Sequence, residues 1–172
     1  AHADNVAACL MGGFVLIKNY KPIEVLKIDI PDIPIVICVM EKARQTSRDL
    51  ISNSLGLTKA LEQMSFCALL VHAIANGDLE RIGEAINRDH ISEPARSKFI
   101  PAYHEIKKKV LEAGAFGCNI SGGGSSIFAI CEENKTKEIA EIMATLSSQS
   151  GVESDVIVTK SSNIGITEVD GL

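Results

Sequence analysis

The sequence predicts an α+β fold, a ferredoxin-like βαββαβ plait with extra helices in its first crossover. Three observations carry this. The unbroken apolar run Ile35-Val36-Ile37-Cys38-Val39-Met40 has the length and branching of a central strand. Two apolar stretches, one ending in Asn119-Ile120 and one resuming at Ile127-Phe128-Ala129-Ile130, flank a glycine turn and read as strand, loop, strand. Helical periodicity fills the interval between the first run and that hairpin, returns after it, and gives way to a last strand over residues 152–159. Strand, helices, strand-loop-strand, helix, strand is the βαββαβ order.

Each element has its own signal. Residues 2–11 read as a short helix that Gly12-Gly13 break, and Phe14-Val15-Leu16-Ile17 as a buried strand. After a turn at Asn19-Tyr20-Lys21-Pro22, Glu24-Val25-Leu26-Lys27-Ile28 pairs back to make a hairpin. Pro31 and Pro34 bracket a linker into the central strand, beyond which the pattern turns helical from Glu41. A long helix over residues 58–75 takes Thr58 as N-cap, carries Leu61, Met64, Cys67, Ala68, Val71 and Ile74 on one face, and stops at Asn76-Gly77. Asp78 caps the next helix, which runs to about residue 88. Glu93-Pro94 restarts the chain, and Phe99, Tyr103, Ile106, Val110 and Leu111 carry a further helix to Gly114. Residues 136–146 form the last helix, Val156 and Val158 share one face of the last strand, and residues 161–172 read as no more than a ragged extra strand.

Composition narrows the class. With 172 residues, 46% of them apolar, the chain holds one domain with a sizeable core and room for part of another. A formal charge of −5 without a basic cluster argues against nucleic acid as a partner, and the absence of tryptophan argues against a stacking platform for single strands. No apolar run reaches the roughly 18 residues of a membrane span. Cys9, Cys38, Cys67, Cys118 and Cys131 lie in apolar surroundings without CxxC or paired-histidine spacing, the pattern of buried reduced thiols in a cytosolic protein rather than of disulfides or a metal site. A cytoplasmic protein is expected. The opening Ala1-His2-Ala3-Asp4 has neither an initiator methionine nor a signal peptide, and it reads as a chain cut from something longer.

Three constellations can do chemistry, and each has a plainer reading beside it. In Ser121-Gly122-Gly123-Gly124-Ser125, glycines let the backbone approach a ligand, and successive N–H groups with serine hydroxyls can cradle an anion; a flexible hairpin without ligand is the alternative. His2, Asp4 and Asn5 lie within one helical turn and can converge on an amino or hydroxyl group, or simply cap a surface turn. Arg48 and Arg96 stand at loop-to-helix junctions, where two guanidinium groups can clamp a carboxylate or merely face solvent. His72 reads as a core or helix-contact histidine, while His90 and His104 have no evident partner. Glu132-Glu133 and Lys107-Lys108-Lys109 read as solvated faces.

The string Ile-Ser-Gly-Gly-Gly-Ser-Ser-Ile-Phe-Ala at 120–129 resembles the third motif of the GHMP small-molecule kinases, with Ser125 where that family places proline. His-Ala-Asp-Asn-Val-Ala at 2–7, followed by Gly-Gly-Phe at 12–14, resembles the segment after the second motif of the homoserine kinases within that superfamily, with Ala8 in place of proline. Glu-Pro-Ala-Arg-Ser-Lys-Phe-Ile-Pro at 93–101 is similar to their Glu-Pro-x-Arg stretch, and residues 44–52 to their Thr-x-x-Ala-Arg-x-x-Leu-Pro stretch, with Arg44 for the threonine and Ser52 for the proline.

This resemblance covers nearly the whole chain. It implies a GHMP kinase C-terminal domain over residues 31–172, preceded by a remnant of the N-terminal lobe in residues 1–30. The implied reaction moves the γ-phosphoryl of ATP to the hydroxyl of L-homoserine in threonine biosynthesis. Arg48 and Arg96 would hold the substrate's carboxylate, His2, Asp4 and Asn5 would contribute to the substrate site, and the loop 121–125 would serve phosphate. No catalytic residue and no metal ligand is assigned within the chain. The family's Pro-x-x-x-Gly-Leu-Gly-Ser-Ser-Ala motif is absent from it. ATP and Mg²⁺ would therefore be held mainly outside this chain, which alone is expected to be inactive. L-homoserine, ATP and a second copy of the protein are the partners expected. Another GHMP small-molecule kinase, an amino-acid-binding regulatory module of ferredoxin-like fold, and a structural or dimerising domain are the alternatives.

Overall fold

An antiparallel four-stranded sheet organises the computed structural model, which describes residues 3–41, 50–52 and 54–168. In chain order its elements are α1 (Ala3–Met11), β1 (Phe14–Tyr20), β2 (Ile23–Ile28), β3 (Pro34–Met40), α2 (Leu57–Asn76), α3 (Leu79–Ile86), α4 (Ser92–Arg96), α5 (Tyr103–Glu112), β4 (Gly117–Ser121), β5 (Ser126–Ile130), α6 (Thr136–Gln149) and β6 (Ser154–Lys160). The sheet order is β4-β5-β3-β6, and every neighbouring pair is antiparallel. Setting aside the separate β1-β2 hairpin, this is the expected βαββαβ plait, with α2 to α5 in its first crossover.

The pleat of β3 explains the core. Val36, Cys38 and Met40 point to one face and are fully buried, beneath α5 through Tyr103, Ile106 and Val110 and beneath α6 through Ile139 and Met143. The opposite face is covered less completely. There Ile130 packs with Ile33 and with Ala73 and Ile74 from the end of α2 and Ile82 from α3, joined by the half-buried Phe14, Ile28 and Ile35. Among the described residues, no helix is long and apolar enough to cross a membrane.

Several local expectations change. The strand expected at 14–17 runs on to Tyr20 and is not buried, since only part of the hairpin reaches the second core and Leu16 is exposed. Residues 41, 50–52 and 54–56 are irregular rather than helical; Arg44 and Arg48 lie outside the described residues. On α2 the N-cap is Gly56, which makes no side-chain cap, while Gly77 ends the helix in the left-handed region at φ 67°. The face expected to be its apolar contact surface is largely open: Leu61 is 57% exposed and Met64 67%, and only Ala73 and Ile74 are buried. His72 lies on this exposed side, its carbonyl accepting from Asn76. Asp78 caps α3 as expected, its Oδ1 accepting from Arg81 N at 3.0 Å.

The helix expected to start near Phe99 starts at Tyr103 instead. Pro101 has no amide proton to donate and Ala102 turns through φ 54°, so a separate turn over Ser97–Phe99 and the short α4 precede it. Cys38, Cys118 and Cys131 are buried, whereas Cys9 and Cys67 are exposed because α1 and α2 each leave a face uncovered. The last described residues form no strand. They lie along the N-terminal segment, with Gly13 N donating to Ser162 O, Ile166 N to Cys9 O, and the Asn163 amide exchanging two hydrogen bonds of 2.8 Å with the backbone of Ile30.

Candidate functional site

The glycine turn and the arginine of the Glu-Pro-Ala-Arg string meet. β4 and β5 pair in register from Gly117–Ile130 up to Ser121–Ser126, leaving 122–125 as the connecting turn. Gly122 sits at φ 60°, which a residue with a Cβ adopts only under strain, although space around it is open. Arg96, the last residue of α4, donates from Nη1 to the Gly122 carbonyl at 2.8 Å. Its Nε is shielded from solvent and has no partner among the described residues, so a planar cation is held against the loop with donor capacity unspent.

α4 has only five residues and cannot hold itself in place. Asp89 caps it: one carboxylate oxygen accepts from the amides of Ile91 and Ser92, both at 2.8 Å, and the other from Glu93 N at 3.0 Å. Glu93 then gives both oxygens to Lys107 of α5, at 2.6 and 2.8 Å, with each side chain only 14% exposed. The run of three lysines predicts a solvated face, and Lys107 is instead the one of the three turned inward. Helical spacing carried the signal: Lys107 follows the buried Tyr103 by four residues and precedes the buried Val110 by three.

Polar side chains also fasten the strand that leads into the turn. Asn87 grips the edge of β4, donating to Phe116 O and accepting from Cys118 N, both at 3.0 Å. Asn119 is buried and satisfied, donating to Ile86 O at 2.6 Å and accepting from Ile120 N and the Tyr103 hydroxyl. Burial, and then the nearby Glu93 carboxylate, push the Tyr103 hydroxyl well above its ordinary range, so it acts here as a donor and not as a base.

The other expected site residues stand apart from this meeting point. Asp4 and Asn5 are in the first turn of α1, where Asn5 N donates to Asp4 Oδ1, and no described hydrogen bond or ion pair joins either to Arg96 or to the loop. His2 and Arg48 lie outside the described residues. The segment just past Arg48 is described: Ile51, Ser52, Ser54 and Leu55 line a shallow pocket of about 150 Å³ with His90 and Ile91, immediately before α4. His90, which has no evident partner in the sequence, has Nε2 3.2 Å from Glu62 Oε2, within ion-pair range but poorly aligned for a hydrogen bond, and its amide donates to Gln63.

Residues 70–148 match the family described as GHMP kinases C terminal. A homoserine kinase of Arabidopsis thaliana is 35% identical over 99% of this chain and 48% of its own length; one from Chlorobium phaeobacteroides is 37% identical over 84% of the chain and 46% of its own. The crystal structure of homoserine kinase from Cytophaga hutchinsonii superposes with a TM-score of 0.90 at 38% identity, over 96% of this chain and 53% of that one. The chain is similar to the C-terminal part of the GHMP kinases. It spans about half the length of the curated relatives it matches. The contact between Arg96 and Gly122 joins two of the strings that carry the resemblance to these kinases.

Proposed function

We propose that this chain is the C-terminal half of an ATP-dependent homoserine kinase, which phosphorylates the hydroxyl of L-homoserine in threonine biosynthesis. Residues 1–30 complete the N-terminal lobe, and residues 31–172 form the C-terminal domain. Arg96, with Arg48, binds the carboxylate of the amino-acid substrate; His2, Asp4 and Asn5 contribute to its amino and hydroxyl end; and the turn from Ser121 to Ser125 faces the phosphate being transferred. The contact that carries this reading is Arg96 Nη1 to Gly122 O at 2.8 Å, which sets a carboxylate-binding cation against the glycine turn. In so small a substrate, carboxylate and reacting hydroxyl are only a few bonds apart, so the two binding features must be neighbours.

Phosphoryl transfer relies on positioning and charge stabilisation more than on covalent chemistry, and no base is assigned among these residues. ATP and Mg²⁺ are assigned mainly to the part of the full-length protein outside this chain. No cluster of three or more His, Cys, Asp or Glu side chains among the described residues could hold a metal ion. The enzyme is cytoplasmic and acts on small molecules.

Steady-state kinetics of Arg96→Leu in the full-length protein test the assignment. Losing one charged partner of a carboxylate costs on the order of 1.5–3 kcal/mol, about one to two decades in kcat/KM for homoserine, with KM for ATP little changed. Equal losses toward both substrates in a folded variant would refute it.

A further inference from the structure

We propose that the largely shielded Glu93–Lys107 pair is a positioning device for Arg96, fixing the guanidinium against the glycine turn; the inference rests on the substrate role of Arg96 proposed above. Glu93 and Arg96 are three residues apart on α4, one helical turn, so restraint of the first side chain fixes the orientation of the second. Lys107 supplies the restraint from α5, with Nζ 2.6 and 2.8 Å from the two Glu93 oxygens and 3.5 Å from the carbonyl of Asn87. Asn87 in turn holds the edge of β4 at Phe116 and Cys118, the strand that runs into Gly122. Arg96 closes the ring by donating to Gly122 O. One ammonium group thus links α4, α5, the end of α3 and the strand under the turn.

The energetics favour positioning over bulk stability as its purpose. A buried ion pair loses hydration about as costly as its attraction is favourable, and apolar residues of similar volume often stabilise as well. What an apolar pair cannot supply is a bidentate, directional tie. Asp89 holds the backbone at the start of α4, the Glu93 amide included, and Lys107 holds the Glu93 side chain from α5.

The decisive experiment places Glu93→Leu/Lys107→Met, which leaves no lone buried charge, in the full-length protein with Arg96 intact and again with Arg96→Leu. With Arg96 intact, KM for homoserine should rise about tenfold, with kcat and KM for ATP within about twofold. In the Arg96→Leu background the same pair should add nothing, an outcome a merely structural role would not produce. Lys107→Arg, which keeps the charge pair, should restore most of the affinity. Should the double variant fail to fold, Glu93→Gln is the milder probe, and a rise of about threefold in KM for homoserine is expected. An unchanged KM in either folded variant, or an equal rise in both backgrounds, overturns the inference while leaving the role of Arg96 standing. An Arg96→Leu protein that uses homoserine normally overturns both.

Discussion

Cys118 shows how burial sets chemistry at the scale of a residue. Its side chain lies under the helices on the packed face of the sheet, and desolvation pushes its thiol from the ordinary 9.0 up to about 12; the same cause raises Cys131 to about 11 and Cys38 in the same direction. These thiols stay protonated and enclosed at pH 8, whereas Cys9 and Cys67 are exposed. Iodoacetamide at pH 8 should therefore alkylate two cysteines in the native chain and all five in denaturant, as counted by mass spectrometry; labelling of Cys118 without denaturant would contradict the packing. The linkage has a definite sign. In the unfolded chain the thiols release protons near pH 9, while the folded chain keeps them until about 11 for Cys131 and 12 for Cys118, so stability is full below pH 9 and declines across pH 9–12. Melting temperatures across that window should fall, and the fall should be smaller in Cys118→Ala. At this scale the sequence was legible where a string was distinctive, as in the Glu-Pro-Ala-Arg segment that delivers Arg96. It misled for Lys107, because a run of three like charges looks solvated until the helix phase set by Tyr103 and Val110 turns one of them inward.

At the scale of elements, two helices make opposite predictions. α3 lies so close to β4 that a Cβ on Gly83 would collide with the backbone carbonyl of Phe116, and one on Gly117 with the side chain of Ile86. Alanine at position 83 would ordinarily favour a helix by about 1 kcal/mol, but here backbone must move, and overpacking costs about 1–3 kcal/mol or more. The clash should win, and denaturant melts of Gly83→Ala should show a net loss of about 2 kcal/mol; a gain in stability would mean that α3 stands farther from the sheet. α2 is the reverse case. Its apolar stripe is as hydrophobic as a core face, yet Leu61 and Met64 are exposed, so Leu61→Lys and Met64→Lys should each change stability by less than about 0.5 kcal/mol. Ile106→Ala, from the fully buried row of α5, should cost about 2–5 kcal/mol. The length and stop of α2 were legible from its periodicity and Gly77. The partner of its apolar face was not, because periodicity reports that a face is apolar without saying what covers it.

For the whole molecule, the order of elements along the chain was the most legible feature, since a continuous apolar run, a glycine hairpin and a closing strand separated by helical stretches make the βαββαβ plait whose sheet runs β4-β5-β3-β6. The association of residues 161–166 with α1 and β1-β2 was not, for it depends on backbone bonds and on the Asn163 amide rather than on any apolar period. The division of labour proposed between the two halves of the enzyme has a direct consequence at this scale. The turn at 122–125 is exposed apart from the half-buried Ser125, and Gly122 and Gly124 have open space where a Cβ would lie, so a phosphate seated there would be met by this chain from one side only. A triphosphate gripped from one side by a short loop loses the contacts and the exclusion of water that a closed site gives, and those contacts make up much of nucleotide affinity. Isothermal calorimetry of MgATP against residues 1–172 should therefore show binding no tighter than about 1 mM, a standard free energy of about −4 kcal/mol. Binding near 1 μM would require about 4 kcal/mol more from this chain alone. That result would move the nucleotide site into this half of the protein and remove the assignment of ATP to the other.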